Sequence, residues 1–111
     1  MGAMDSLHDA EIISLESDWR NNILKITFSL NASIVVLTFN EAVHWEFTPF
    51  EVQNVVYEVS YYNVVAAPAA IKEDFDVLQD FMNGDYFVAF INPSSGLGGI
   101  IIYKTLSTVR V

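Results

Sequence analysis

The chain has no cysteine. That removes disulfides, zinc–thiolate sites and a thiol nucleophile. Basic residues are scarce: five lysines and arginines stand against fourteen aspartates and glutamates, for a formal charge of −9. A surface of that sign repels phosphate backbones and anionic bilayers, so no nucleic-acid or membrane partner is expected. Long hydrophobic runs are missing as well. The longest, "NVVAAPAA" (63–70) and "GGIIIY" (98–103), fall well short of the roughly 20 apolar residues of a transmembrane helix. The N-terminus carries no basic region followed by an apolar stretch, so no signal peptide is expected. With the missing cysteine, this predicts a cytoplasmic protein. Proline and glycine are sparse, and no linker, repeat or low-complexity tract interrupts the chain.

What the sequence does hold is a core. Hydrophobic residues make up 52% of the 111, with eight phenylalanines, five tyrosines and two tryptophans. A disordered chain is poor in such residues. The length fits one domain. "MGA" at residues 1–3 reads as an expression-tag scar before a native start at Met4, leaving 4–111 as a single α+β domain.

The order of elements follows from periodicity. "AEIISLESD" (10–18) is β-rich. "ILKITFSL" (23–30) alternates, with Leu24, Ile26, Phe28 and Leu30 on one face and Lys25, Thr27 and Ser29 on the other. "IVVLTF" (34–39) is more apolar and therefore more central. "AVHWEF" (42–47) sets Val43, Trp45 and Phe47 opposite His44 and Glu46. Four strands with tight turns predict an antiparallel N-terminal meander. "TPFE" (48–51) has the pattern of a helix start: Thr48 as cap, Pro49 at the first helical position, Glu51 reaching back. The following "VQNVVYEVSYYN" fits a helix or a strand over residues 55–62. Pro68 makes 64–70 a loop. "IKEDFDVLQDFM" (71–82) predicts an amphipathic helix that buries Phe75, Leu78 and Phe81 and shows Glu73, Asp76 and Asp80 to solvent. Residues 86–91 and 100–105 predict a C-terminal hairpin, and "STVRV" continues its last strand or frays. The fold class is thus α+β: mainly antiparallel sheet, with one or two helices packed on it.

No catalytic set emerges, and no enzyme is expected. His8-Asp9 has one histidine elsewhere, His44, and no spaced ligand set, so it reads as a hydrogen-bonded pair at the start of a strand rather than a metal site. No "GxSxG" elbow accompanies the serines. "PSSGLGG" (93–99) lacks the lysine and following helix of a phosphate loop, and reads as a hairpin tip. Glu73, Asp74 and Asp76 lie on a solvated face, where nothing raises a carboxyl pKa for acid–base work. Asn54, flanked by apolar residues, reads as a bridge between two segments. No cofactor and no metal are expected.

The segments "LHDAEIISLESDW" (7–19), "ILKITF" (23–28) and "FEVQNVVYEV" (50–59) resemble a group of small bacterial proteins. These open with Leu-His-Asp-Ser/Ala and an Ile-rich strand and carry a later Gln-Asn-Val/Ile element. Some are similar to immunity proteins of polymorphic or contact-dependent toxin systems. The resemblance spans roughly residues 7–62 and supplies no catalytic residues to carry over. It implies a small acidic domain that neutralises a basic protein toxin, such as a nuclease, by direct binding. Its carboxylates would stand in for substrate phosphates.

The charge balance agrees, because complementary charge speeds encounter with a cationic partner. It equally keeps an apolar-rich domain in solution. The partner-binding residues expected are Glu73, Asp76 and Asp80, together with Trp19, a hot-spot residue type placed in a polar turn. Two other classes remain open: an assembly subunit that forms a homodimer, and a small-molecule binding module with a pocket near Trp45 and Tyr57.

Overall fold

The computed structural model describes residues 7–111; the tag scar expected at residues 1–3 and the start expected at Met4 lie outside them. Three strands open the fold: β1 (Glu11–Asp18), β2 (Ile23–Leu30) and β3 (Ser33–Asn40). They pair as an antiparallel meander. Leu24, Ile26 and Phe28 of β2 and Val35, Leu37 and Phe39 of β3 are buried, as two-residue alternation demands of a sheet with one face on a core. The β2–β3 connection is two residues long, Asn31 and Ala32, both with positive φ (50° and 65°). That is the signature of a type I′ turn, whose twist matches the strands it joins.

The meander ends at three strands, not the four expected. Glu41, at φ 50°, turns the chain out of the first three strands' plane, and β4 (His44–Phe47) pairs with β7 rather than with β3. The helix expected from "TPFE" does not form, and residues 48–54 carry no helix. The polar groups that would cap it are used otherwise. Thr48 donates its amide to the Gly98 carbonyl at 2.9 Å, and its Oγ1 accepts from the Gly98 amide at 2.8 Å. The Glu51 amide donates to Asn54 Oδ1. The ambiguous stretch resolves as a strand, β5 (Val55–Asn63), followed by a 3₁₀ turn at Val64–Ala66.

The single helix expected over 71–82 is also two pieces. An α-helix, α1 (Ala69–Asp74), begins after Pro68, and a 3₁₀ segment runs Asp76–Phe81. Phe75 breaks them apart at φ −130°, ψ 82°. The physical reason was present in the spacing. Phe75, Leu78 and Phe81 recur at intervals of three, the period at which side chains of a 3₁₀ helix eclipse. Leu78 is fully buried; Phe75 and Phe81 pack at the margin of the core.

The C-terminal hairpin forms from β6 (Phe87–Ser95) and β7 (Gly99–Tyr103), and the chain then continues into β8 (Thr105–Arg110). The eight strands make one open sheet in the order β4-β7-β6-β5-β1-β2-β3-β8. Between β5 and β1 the ladder narrows to one pair, Glu11 with Val55. There the sheet folds over, so that β1, β2 and β3 face β5, β6 and β7 across one cluster: Ile12, Ile26, Phe28 and Phe39 against Val56, Ala89, Ile91 and Ile101. The other side of the β6–β7 half is covered by Val64, Ala67, Ile71 and Leu78, packed on Val88, Ile100 and Ile102. The architecture is mainly antiparallel sheet with short helices on one face, which is α+β in the broad sense.

At the fold, two chain stretches pass together from one half to the other. Asn40 pairs with Thr105 and His44 with Ile102. Between those pairs the Lys104 amide donates to the Asn40 carbonyl at 3.1 Å and the Val43 amide to the Ile102 carbonyl at 2.9 Å. The backbone therefore stays hydrogen-bonded around the corner, as buried main chain requires.

Three stability expectations follow. Ile102→Ala, at a residue with no exposed surface, is expected to cost about 2–5 kcal/mol. Val109→Ala on exposed β8 is expected to stay within about 0.5 kcal/mol. Equal denaturation midpoints for the two variants would contradict the double burial of β7. Ala32→Gly is expected to stabilise by up to about 1 kcal/mol, because only glycine adopts positive φ without a Cβ penalty. Urea denaturation measures that gain, and a loss of stability would contradict the type I′ turn.

Candidate functional site

Asn54 organises one end of the molecule. It is 1% exposed, the one buried polar residue among those described. Its Oδ1 accepts from the amides of Glu51 (2.9 Å) and Leu97 (3.0 Å), and its Nδ2 donates to the Glu51 carbonyl (2.8 Å). The amide thus bridges the 51–54 turn and the β6–β7 tip, which is the bridging role its apolar flanks suggested. Gly96 lies over it at φ 75°, and a Cβ there would collide with Asn54 Oδ1. The glycine is required both by its conformation and by that close approach.

Beside this anchor is a cleft of about 300 Å³. Its apolar walls are Phe47, Phe75, Phe90, Ile91 and Pro93, and Gly98 and Gly99 expose backbone to it. Glu46 and Thr48 are its only polar lining residues other than the two glycines. Each wall is placed by a different feature. Phe47 and Glu46 come from β4 at the end of the sheet order. Phe75 comes from the break between the two helical pieces, where its ring meets Phe90 edge-on at 6.3 Å between centroids. Gly99, at φ 148°, lets β4 approach: a Cβ there would run into the Glu46 carbonyl. Glu46 also takes part in a side-chain pair with His44, Nε2 to Oε2 at 2.8 Å, two residues apart on one face of the strand.

Asp74 and Asp76 are the chain neighbours of the cleft residue Phe75, though neither lines the cleft, and Glu73 and Asp80 lie further along the same segment. All four are exposed. They do not form the single stripe expected of one helix. Glu73 belongs to α1, and Asp76 and Asp80 to the 3₁₀ segment, where about 120° per residue swings Asp80 away from Asp76. Lys72, the basic residue of this region, donates its Nζ to the Val65 carbonyl at 2.8 Å.

The remaining expected site residues are dispersed. Trp19 is 75% exposed in the β1–β2 turn, on the opposite half of the sheet from the acidic segment, with the Arg20 guanidinium 5.2 Å from its ring centroid. His8 and Asp9 stand just before β1. Nδ1 of His8 lies 2.6 Å from the Tyr57 carbonyl; since a carbonyl only accepts, that nitrogen carries the proton. Nε2 of His8 is 3.5 Å from Asp9 Oδ2, and the ring meets Tyr57 edge-on at 5.3 Å. Among the described residues no group of three or more His, Asp or Glu side chains is arranged to hold a metal ion. Trp45 packs against the inner core while Tyr57 is half-exposed on β5, and neither lines the 300 Å³ cleft.

Sequence reasoning missed Phe47, Phe90 and the Gly98–Gly99 pair as site residues. One signal was legible: a double glycine directly before the apolar run of β7 marks a close backbone approach. That Phe47, Phe75 and Phe90 come together is a tertiary effect.

No protein-family profile matches the chain, and no curated protein or solved structure matches it significantly. No helix among the described residues is long and apolar enough to cross a membrane.

Two phenols in the inner core are shifted. Burial pushes Tyr103 up to about 12. Burial, with a smaller contribution from Tyr103, raises Tyr61 further. A tyrosine in the unfolded chain ionises at about pH 10. Above that pH the unfolded chain releases protons that the folded chain keeps, so stability is full below about pH 10 and falls as pH rises towards 12. Tyr103→Phe is expected to flatten the decline of the urea midpoint across that window. A decline as steep as that of the unaltered protein would place the Tyr103 phenol in solvent.

Proposed function

We propose that this protein is a binding domain of the immunity type, which neutralises a basic bacterial protein toxin by direct contact in the cytoplasm. It would act without catalysis or cofactor. The observation that carries the reading is the acidic segment on the helical face of the sheet. Glu73, Asp74, Asp76 and Asp80 are all exposed, and the lysine among them is engaged by a backbone carbonyl. Within a chain of charge −9, such a segment attracts and orients a cationic partner. The resemblance of residues 7–62 to immunity-type proteins supports it.

The partner class follows from the same chemistry. A nuclease active site is basic because it holds phosphates, and carboxylates at matching spacing can occupy it in the substrate's place. Such attraction is screened over about 8 Å at 0.15 M salt, so it acts mainly on the association rate.

The test is a charge reversal. Glu73→Lys, Asp76→Lys and Asp80→Lys together, with folding checked by circular dichroism, are expected to slow association with a candidate toxin from a neighbouring gene by about tenfold or more at low salt. They are also expected to flatten the salt dependence. An unchanged rate and slope would remove this segment from the interface. Failure of the unaltered protein to bind, or to protect cells from, any toxin encoded beside it would overturn the immunity reading as a whole.

A further inference from the structure

We infer that the cleft between β4 and the break at Phe75 is a socket for one apolar side chain of a basic partner segment, with Glu46, Asp74 and Asp76 meeting the cationic residues on either side of it. This rests on the reading of the protein as a binder of a basic partner, and it names the place and the anchor.

Three observations select that occupant. The cleft measures about 300 Å³, at the lower limit for small-molecule sites, which favours a single side chain over a larger ligand. Its walls are apolar, and its one ionisable lining residue is Glu46. Phe75, which forms a wall, is flanked in the chain by two exposed aspartates, Asp74 and Asp76. None of the five lysines and arginines lines the cleft: Arg20 lies on Trp19, Lys104 on the Tyr86 ring, and Lys72 on the Val65 carbonyl. An acidic or neutral partner would bring nothing to offset the desolvation of these carboxylates at the rim, whereas a cation beside the anchor does. The anchor-in-pocket arrangement with a charged border is that of interface hot spots, where one buried side chain carries most of the affinity.

The socket is testable without the natural partner. ¹⁵N-labelled protein would be titrated with three capped tripeptides: Lys-Leu-Lys, Lys-Ala-Lys and Glu-Leu-Glu. Lys-Leu-Lys is expected to give saturable shifts, in the millimolar range, at the amides of Phe47, Phe75, Phe90, Gly98 and Gly99. Lys-Ala-Lys is expected to bind about tenfold more weakly, the value of burying the leucine side chain, and Glu-Leu-Glu weakest of all. The combination Glu46→Gln, Asp74→Asn and Asp76→Asn, at exposed positions, is expected to erase the preference for Lys-Leu-Lys over Glu-Leu-Glu.

Equal shifts from Lys-Leu-Lys and Glu-Leu-Glu would overturn the charge selection. Equal affinities of the leucine and alanine peptides, with shifts confined to residues 73–80, would overturn the socket while leaving the acidic segment as a binding surface. No shift with any peptide would also overturn the socket. The charge-reversal experiment with the toxin reports separately on the partner reading, so the two fail by different results.

Discussion

The burial of β7 on both faces is the constraint on which the other elements depend. All five of its residues are buried. Ile101 and Tyr103 point into the space between the two halves of the folded sheet, and Ile100 and Ile102 point to the helical side. A strand of five residues that is apolar on both sides must be covered twice. One cover is the first half of the chain, brought over by the fold between β5 and β1. The other is the short helical segment 64–81. The two core clusters meet at this strand and its partner β6, whose Val88 and Ala89 are likewise buried in opposite clusters. Removing volume from β7 therefore loosens both layers, which is why a single methyl-rich strand matters more here than any helix.

The same constraint explains the corner. A chain that leaves β7 must reach the first half of the sheet with its backbone groups still paired, and only Lys104 separates β7 from β8. The 33–47 stretch makes the same passage in the opposite direction. Each supplies the other's hydrogen bonds through the bend. Glu41 at positive φ is the local cost of that turn, and the continuous pairing of both strands offsets it. Asn54 solves the equivalent problem at the far end. It satisfies three backbone groups at once where the β6–β7 tip folds down onto the 51–54 turn.

Much of the sheet could be read from alternation. β1, β2, β3 and β7 lie close to where the pattern of apolar residues placed them, because each has one or both faces on a core and its sequence records that burial; β6 starts where expected but runs on through Pro93–Ser95, which read as part of the hairpin tip. What could not be read is pairing. His44–Phe47 looks like the fourth strand of a meander, since nothing in "HWEF" says that its neighbour is Gly99–Tyr103. "TPFE" carries every residue of a helix start, yet Thr48 and Glu51 bond to Gly98 and Asn54, which are remote in sequence or belong to a turn. The segment 71–82 shows that period matters within helices as well. Counting intervals of three as well as four would have separated the 3₁₀ piece from α1. The cleft was illegible for the same reason as the pairing: Phe47, Phe75 and Phe90 belong to three elements, and only the fold brings them together.

The position of the cleft is a consequence of these structural solutions rather than an addition to them. β4 lies close on β7 because Gly99 has no Cβ to meet the Glu46 carbonyl. The hairpin tip needs Gly96 over Asn54. Between these two backbone approaches there are few side chains to fill the space, and Phe75, displaced from a regular helix, covers it only in part. An apolar gap left open at the end of a sheet is a cost to the isolated molecule, since its walls lose packing partners and meet water. The cover that leaves it open also carries exposed carboxylates on both sides of Phe75. A fold that needed only to bury β7 could have done so with a longer, regular helix and a filled end. The broken cover, the open gap and the exposed carboxylates beside Phe75 in the chain occur together, and that combination is the physical basis on which recognition is proposed for this end of the molecule.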